Sequence, residues 1–215
     1  MCVSLVFPKE RCFRWGYLPH AEPGVTQSDS AISRRGIAGR ERLFYGAQIG
    51  SETRNLEFKL GRGHYLRNIF QHDLRKYACA FLNGEGGSLL VGVDNAGKVR
   101  GVCCNHRLQD RTRLMVDAML KRFQPPLLPH NYNLSFLPVV QPGTSQPFLQ
   151  VLRFSVWPPP VPDPPMLYQT DQGMVYLRRD ASVEGPLTAG LIQQWFRQVE
   201  SEIHGSPAVE KIWEW

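Results

Sequence analysis

The 215-residue sequence has no run approaching the roughly 18 consecutive apolar residues that a transmembrane helix requires. Its first residues, MCVSLVFPKERC, lack the apolar core of a signal peptide. Cysteine is scarce: five residues, at 2, 12, 79, 103 and 104, form an odd set with no CxxC pair. That pattern fits reduced thiols better than a disulfide framework and offers no structural zinc site. These absences predict an intracellular protein, the cytoplasm favoured over the nucleus, with no membrane partner. Internal repeats and heptad arrays are also missing.

What is present describes one globular unit. A hydrophobic fraction of 42% and an aromatic fraction of 11% suffice for a substantial core, and 17 prolines with 19 glycines imply many turns. The formal charge of +6 suits a polyanionic partner. Its distribution says more than its sum. Residues 59–76 and 98–122 carry +4 and +5, so the remainder is net acidic and any basic face is built around the middle of the chain.

Residues 1–42 mix Pro, Gly, Ser and Arg without sustained periodicity, which reads as a poorly ordered arm; residues 43–204 read as the folded domain and 205–215 as a tail. LFYGAQI (43–49) and NLEFKL (55–60) read as strands; in the second, alternation puts Glu57 and Lys59 on one face and Phe58 on the other, core face. Residues 65–82 have a helical stripe of Leu66, Ile69, Phe70, Leu74, Tyr77 and Phe81, ended by Asn83-Gly84. Asp73 lies within that stripe, so it needs a partner or a polar site unless the register shifts. SLLVGV (88–93) suits a buried strand, DNAG a turn and KVRGV its hairpin partner. A second helix spans 106–123, strands follow near 132–140, 147–156 and 174–179, and a closing helix covers 188–203 with Leu191, Ile192, Trp195 and Phe196 as its apolar side. The proline tract 157–165 reads as a surface loop. The element order predicts an α+β fold, a mixed β-sheet with about three packed helices.

One cluster carries candidate chemistry. Phosphodiester hydrolysis uses a divalent metal, held by carboxylates, to activate water and offset charge, with a cation near the reacting oxygens. Glu57 and Lys59 make half of such a site on one strand face, and Asp94 sits at the end of the 88–93 strand. Glu52 lies an odd number of residues before Glu57, so it joins them only through a bend near Thr53 and Arg54. On spacing alone the same residues also read as an ordinary solvated strand face.

The segments SETRNLEFK and ACAFLNGEGGSLLVGVDNAGKVRG resemble the Schlafen family and its AlbA-type domain, with weaker likeness continuing to VYLRRDAS at 175–182. This resemblance implies a single Schlafen-type lobe, similar to the short Schlafen-like proteins. It further implies an endoribonuclease acting on structured RNA such as tRNA: Glu52, Glu57 and Asp94 as ligands of Mg²⁺ or Mn²⁺, and Lys59 stabilising developing charge. No zinc is expected, because Cys103-Cys104-Asn105-His106 lacks the distant partners of the family's zinc cluster. A single lobe would complete an RNA groove by pairing with itself or with another Schlafen-like chain.

Two other readings compete. One is a non-catalytic RNA- or DNA-binding module in which Arg62, Arg67, Arg107, Arg111, Lys121 and Arg122 meet phosphates. The other is a nucleotide-binding domain using Gly84-Glu85-Gly86-Gly87. ATP is not expected there, because GxxxxGK[ST] is missing and turn or close-packing roles suit these glycines.

Overall fold

Alternation along a four-residue strand organises the two sides of the sheet. In β2 (Leu56–Lys59), Leu56 and Phe58 enter one hydrophobic core while Glu57 and Lys59 face the helices of the other. β3 (Gly87–Val91) is buried throughout, as expected of an apolar run between two layers. It lies parallel to β2, with Glu57 beside Leu89, and antiparallel to β6 (Leu149–Val156). The computed structural model describes residues 42–143, 148–159, 166–180 and 182–204. The expected arm and tail, and residues 160–165 of the proline tract, lie outside them.

The mixed sheet runs β1 (Leu43–Phe44), β5 (Tyr132–Val140), β6, β3, β2, and β4 (Val102–Cys103) also pairs with β6. A separate hairpin joins β7 (Leu177–Arg178) to β8 (Val183–Glu184). Among the described residues, four α-helices accompany the sheet: α1 (Tyr65–Asn68), α2 (Phe70–Leu82), α3 (His106–Leu120) and α4 (Ala189–His204). The larger core fills the space between the sheet and α1 to α3, where Phe70, Phe81, Phe123 and Phe154 are fully buried. Each contributes on the order of 2 kcal/mol relative to an exposed ring. The smaller core, around Phe58, Leu90 and Val151, covers the opposite face. The α+β expectation holds.

Several details differ from the sequence reading. KVRGV meets the 88–93 run through its turn and a single Val93–Val99 bridge while Val102 pairs with β6, and the 174–179 strand shortens to β7. The 65–82 helix divides at Ile69, which turns outward at 50% exposure while Leu66, Phe70, Leu74, Tyr77 and Phe81 stay inside. The first strand shortens to Leu43–Phe44, because a turn closes immediately with Ala47 N donating to the Phe44 carbonyl at 3.0 Å. None of the described residues of α4 belongs to either core: Leu191 is 41% exposed, while Ile192, Trp195 and Phe196 of the expected apolar side are half-buried. Asp73 does find a partner: the Tyr65 hydroxyl donates to it at 2.7 Å. Of the glycines after α2, Gly86 and Gly87 pack closely, whereas Gly84 has ordinary clearance. Gly86 has φ +80°, and a Cβ there would stand 2.8 Å from the Val156 carbonyl oxygen.

Candidate functional site

Glu57 is the most enclosed of the predicted carboxylates, at 6% exposure. Lys59 Nζ and the Tyr77 hydroxyl both donate to its Oε1 at 2.7 Å, and Arg178 Nη1 donates to Oε2 at 2.9 Å. Burial alone would lower the Lys59 pKa, but its bonds to Glu57 and Tyr77 outweigh that and raise it, so the ammonium stays charged. The same guanidinium donates to the carbonyls of Thr53 and Arg54, each at 3.0 Å, and lies over the rings of Tyr77 and Phe81. One buried anion is therefore enclosed by two cations and a phenol. Such pairing and hydrogen bonding is the condition under which a buried charge is tolerated.

Glu52 does reach β2. A tight turn, with reciprocal backbone bonds between Thr53 and Leu56 at 3.0 and 3.1 Å, folds it back, and its Oε1 accepts from Phe58 N at 2.9 Å. The bend that the sequence required is present, and Glu52 caps an amide on the edge of β2 away from β3. Asp94 follows β3 and organises the next turn: Oδ1 accepts from Ala96 N at 3.0 Å and Lys98 N at 2.9 Å, and Oδ2 accepts from Arg100 Nε at 2.9 Å. The Lys98 amide first, then Arg100, holds its carboxyl below the usual range.

Mg²⁺ and Mn²⁺ need carboxylate oxygens free to coordinate. Here both oxygens of Glu57 and both of Asp94 are engaged, largely by cations, and Glu52 serves the backbone. Among the described residues, no three His, Cys, Asp or Glu side chains form a group that could hold a metal ion. The expected convergence of Glu52, Glu57 and Asp94 is thus not what the structure has. In this structure Glu57 is paired with Arg178 and Lys59, and Asp94 with Arg100.

Free cations lie instead where β2 and β3 end. Two adjoining clefts, of about 410 and 480 Å³, share Arg62 and Gly101. Arg67 and His64 line the first; Tyr45, Arg100 and Asp94 line the second. The crevice outside the C-terminal ends of parallel strands is a common ligand position. Gly61 lets the chain turn there: its φ is +70°, and a Cβ would stand 2.5 Å from Val91 Cγ1. Arg62 and Arg67 are exposed, and their side chains make no ion pair or hydrogen bond with the described residues. Arg107 and Arg111 are likewise exposed and unpaired on α3, whose Leu108 borders the first cleft. Lys121 and Arg122 differ, since they pair with Asp117 at 2.8 Å and Asp171 at 3.6 Å.

Several organising residues escaped the sequence reading. Arg178 and Tyr77 complete the Glu57 cluster; Arg178 lies in VYLRRDAS, but nothing there distinguishes it from Arg179, which pairs with Glu184 outside. Asn83, seen only as a helix stop, also latches a distant segment: Nδ2 donates to the carbonyls of Tyr168 and Tyr176 at 3.0 Å, and Oδ1 accepts from Tyr168 N at 2.6 Å. Asp171 holds the same segment to α2 by accepting from Arg75, whose Nη2 lies at 3.0 Å.

A mixed sheet covered on both sides, with a buried carboxylate cluster and a basic crevice at the ends of its parallel strands, defines an α+β domain suited to an anionic ligand. Residues 52–186 match the Schlafen AlbA_2 family, and the chain belongs to it. That membership points to a nucleic-acid-related function. Among solved structures, the chain is similar to the DIP2311 protein from Corynebacterium diphtheriae, with 16% identity and a TM-score of 0.40 over 61% of this chain. It spans 22% of that protein's length. No described helix is long and apolar enough to cross a membrane.

Proposed function

We propose that this domain binds RNA, structured RNA such as tRNA foremost, through the crevice marked by Arg62 and Arg67. The observation that carries this reading is that both guanidiniums are exposed and unpaired in a cleft, whereas Asp94 and Glu57 are already paired with Arg100 and Arg178. Guanidiniums suit phosphate oxygens, and each phosphate contact releases counterions. Arg107 and Arg111 extend the same positive field along α3. The test is tRNA affinity as a function of salt. The double variant Arg62→Ala/Arg67→Ala should weaken binding and make the slope of log K against log salt shallower by about 2; an unchanged slope would contradict the reading.

A metal-dependent endoribonuclease is the second reading, favoured by one observation: the Thr53–Leu56 turn brings Glu52 to the strand that carries Glu57. It requires Glu57 to exchange Arg178 and Lys59 for Mg²⁺ or Mn²⁺ when RNA binds. Incubation of tRNA with the protein and Mn²⁺ separates the readings. Cleavage lost in Glu57→Gln and Asp94→Asn, with binding retained, would establish the nuclease. Intact tRNA would leave a binding module.

A further inference from the structure

The two clefts have different linings, and the difference bears on what form of RNA they take. A duplex presents its phosphates outside and its bases stacked within, so a protein that grips duplex RNA needs cations and hydrogen-bonding groups, not apolar surface. The first cleft is lined by the apolar side chains of Leu66, Val102, Leu108 and Leu149 together with Arg62 and Arg67. Its volume of about 410 Å³ falls within the roughly 300–1,000 Å³ typical of small-ligand sites. The second cleft presents the Tyr45 ring, 39% exposed, with the Arg100 guanidinium 5.6 Å from its centroid. Arg100 is held by Asp94, so this aromatic and cationic platform is positioned in advance.

Apolar lining, aromatic platform and an intervening unpaired arginine make the combination that receives unstacked bases and the phosphate joining them. We propose that the crevice binds single-stranded RNA, with one base over Tyr45, a neighbouring base in the Leu108 and Leu149 cleft, and their linking phosphate on Arg62. In structured RNA this means a loop or an end rather than a helical stem. The inference rests on the RNA-binding reading above and narrows it to a strand form.

The test is fluorescence anisotropy of the full chain with a labelled oligouridine and with a duplex RNA of equal length. The single strand should bind at least tenfold more tightly. Tyr45→Ala should weaken single-strand binding about tenfold without changing its salt slope, since stacking rather than charge is removed. Tyr45→Phe should restore it, and Arg62→Ala should weaken binding and flatten the slope. Tyr45 is exposed enough that its replacement leaves the core intact. Equal affinity for both RNAs with Tyr45→Ala neutral would overturn the inference while leaving RNA binding standing. No binding of either RNA would overturn both.

Discussion

Only four residues lie between Glu57 and Arg62, yet the two stand in opposite electrostatic situations. Glu57 is buried with Lys59, Tyr77 and Arg178 on its two oxygens, and every charge in that cluster is answered from within the protein. Arg62, past the end of β2, is exposed and answered by nothing among the described residues. The contrast teaches that charged residue type is a poor guide to function until its partners are known. The carboxylate that a motif singles out is fully paired within the protein, and the arginine that follows its strand is exposed with its side chain unpaired among the described residues.

Breaking the buried side of the comparison should give the largest effect. Arg178→Leu leaves Glu57 short of its principal guanidinium and frees two carbonyls, so it should cost about 3–5 kcal/mol in urea unfolding. A loss below about 1 kcal/mol would show that Lys59 and Tyr77 suffice. Asp171→Asn should cost about 2 kcal/mol, because it weakens the charge-assisted bonds from Arg75 that hold the 166–176 segment to α2. The Arg75 guanidinium keeps the Asp171 carboxyl below its ordinary value. Its contribution is therefore fully present above the unfolded pKa, about 3.9, and is lost as pH falls through the lower folded value. The wild type should lose more stability than Asp171→Asn on acidification through that window.

Thiol chemistry sharpens the contrast without large energies. Burial pushes the Cys79 thiol up to about 12 and Cys104 up to about 11, whereas Cys103 is exposed at the first cleft. Among these three, only Cys103 should react quickly with a thiol reagent in the folded protein, and Cys103→Ser should remove that fast modification. Labelling of Cys79 at the same rate would contradict the packing described. Because both buried thiols are favoured neutral, their contribution holds below the unfolded cysteine pKa near about 8.5 and falls as pH rises toward their folded values.

Much of the fold was legible because it depends on local periodicity. The 132–140 strand, the 106–123 helix and the face shared by Glu57 and Lys59 follow from spacing alone, and the bend that Glu52 required is present at Thr53–Leu56. What was not legible depends on contacts distant in sequence. Arg178 meets Glu57 across 121 residues, and alternation cannot say which of two adjacent arginines turns inward. The break at Ile69 is similar: a continuous helical pattern does not reveal that the packing against the sheet rotates one residue out. The motif singled out Glu52, Glu57 and Asp94, but spacing could not give their hydrogen-bond partners: Phe58 N for Glu52, Arg178 for Glu57 and Arg100 for Asp94.

The most direct measurement compares tRNA affinity of wild type, Glu57→Gln and Arg62→Ala/Arg67→Ala side by side, without added divalent metal, at a temperature where circular dichroism shows all three folded. The account predicts that Glu57→Gln binds within about twofold of wild type, while the arginine double variant loses about tenfold or more with a shallower salt slope. The reverse pattern, binding abolished by Glu57→Gln and untouched by loss of the two arginines, would contradict it.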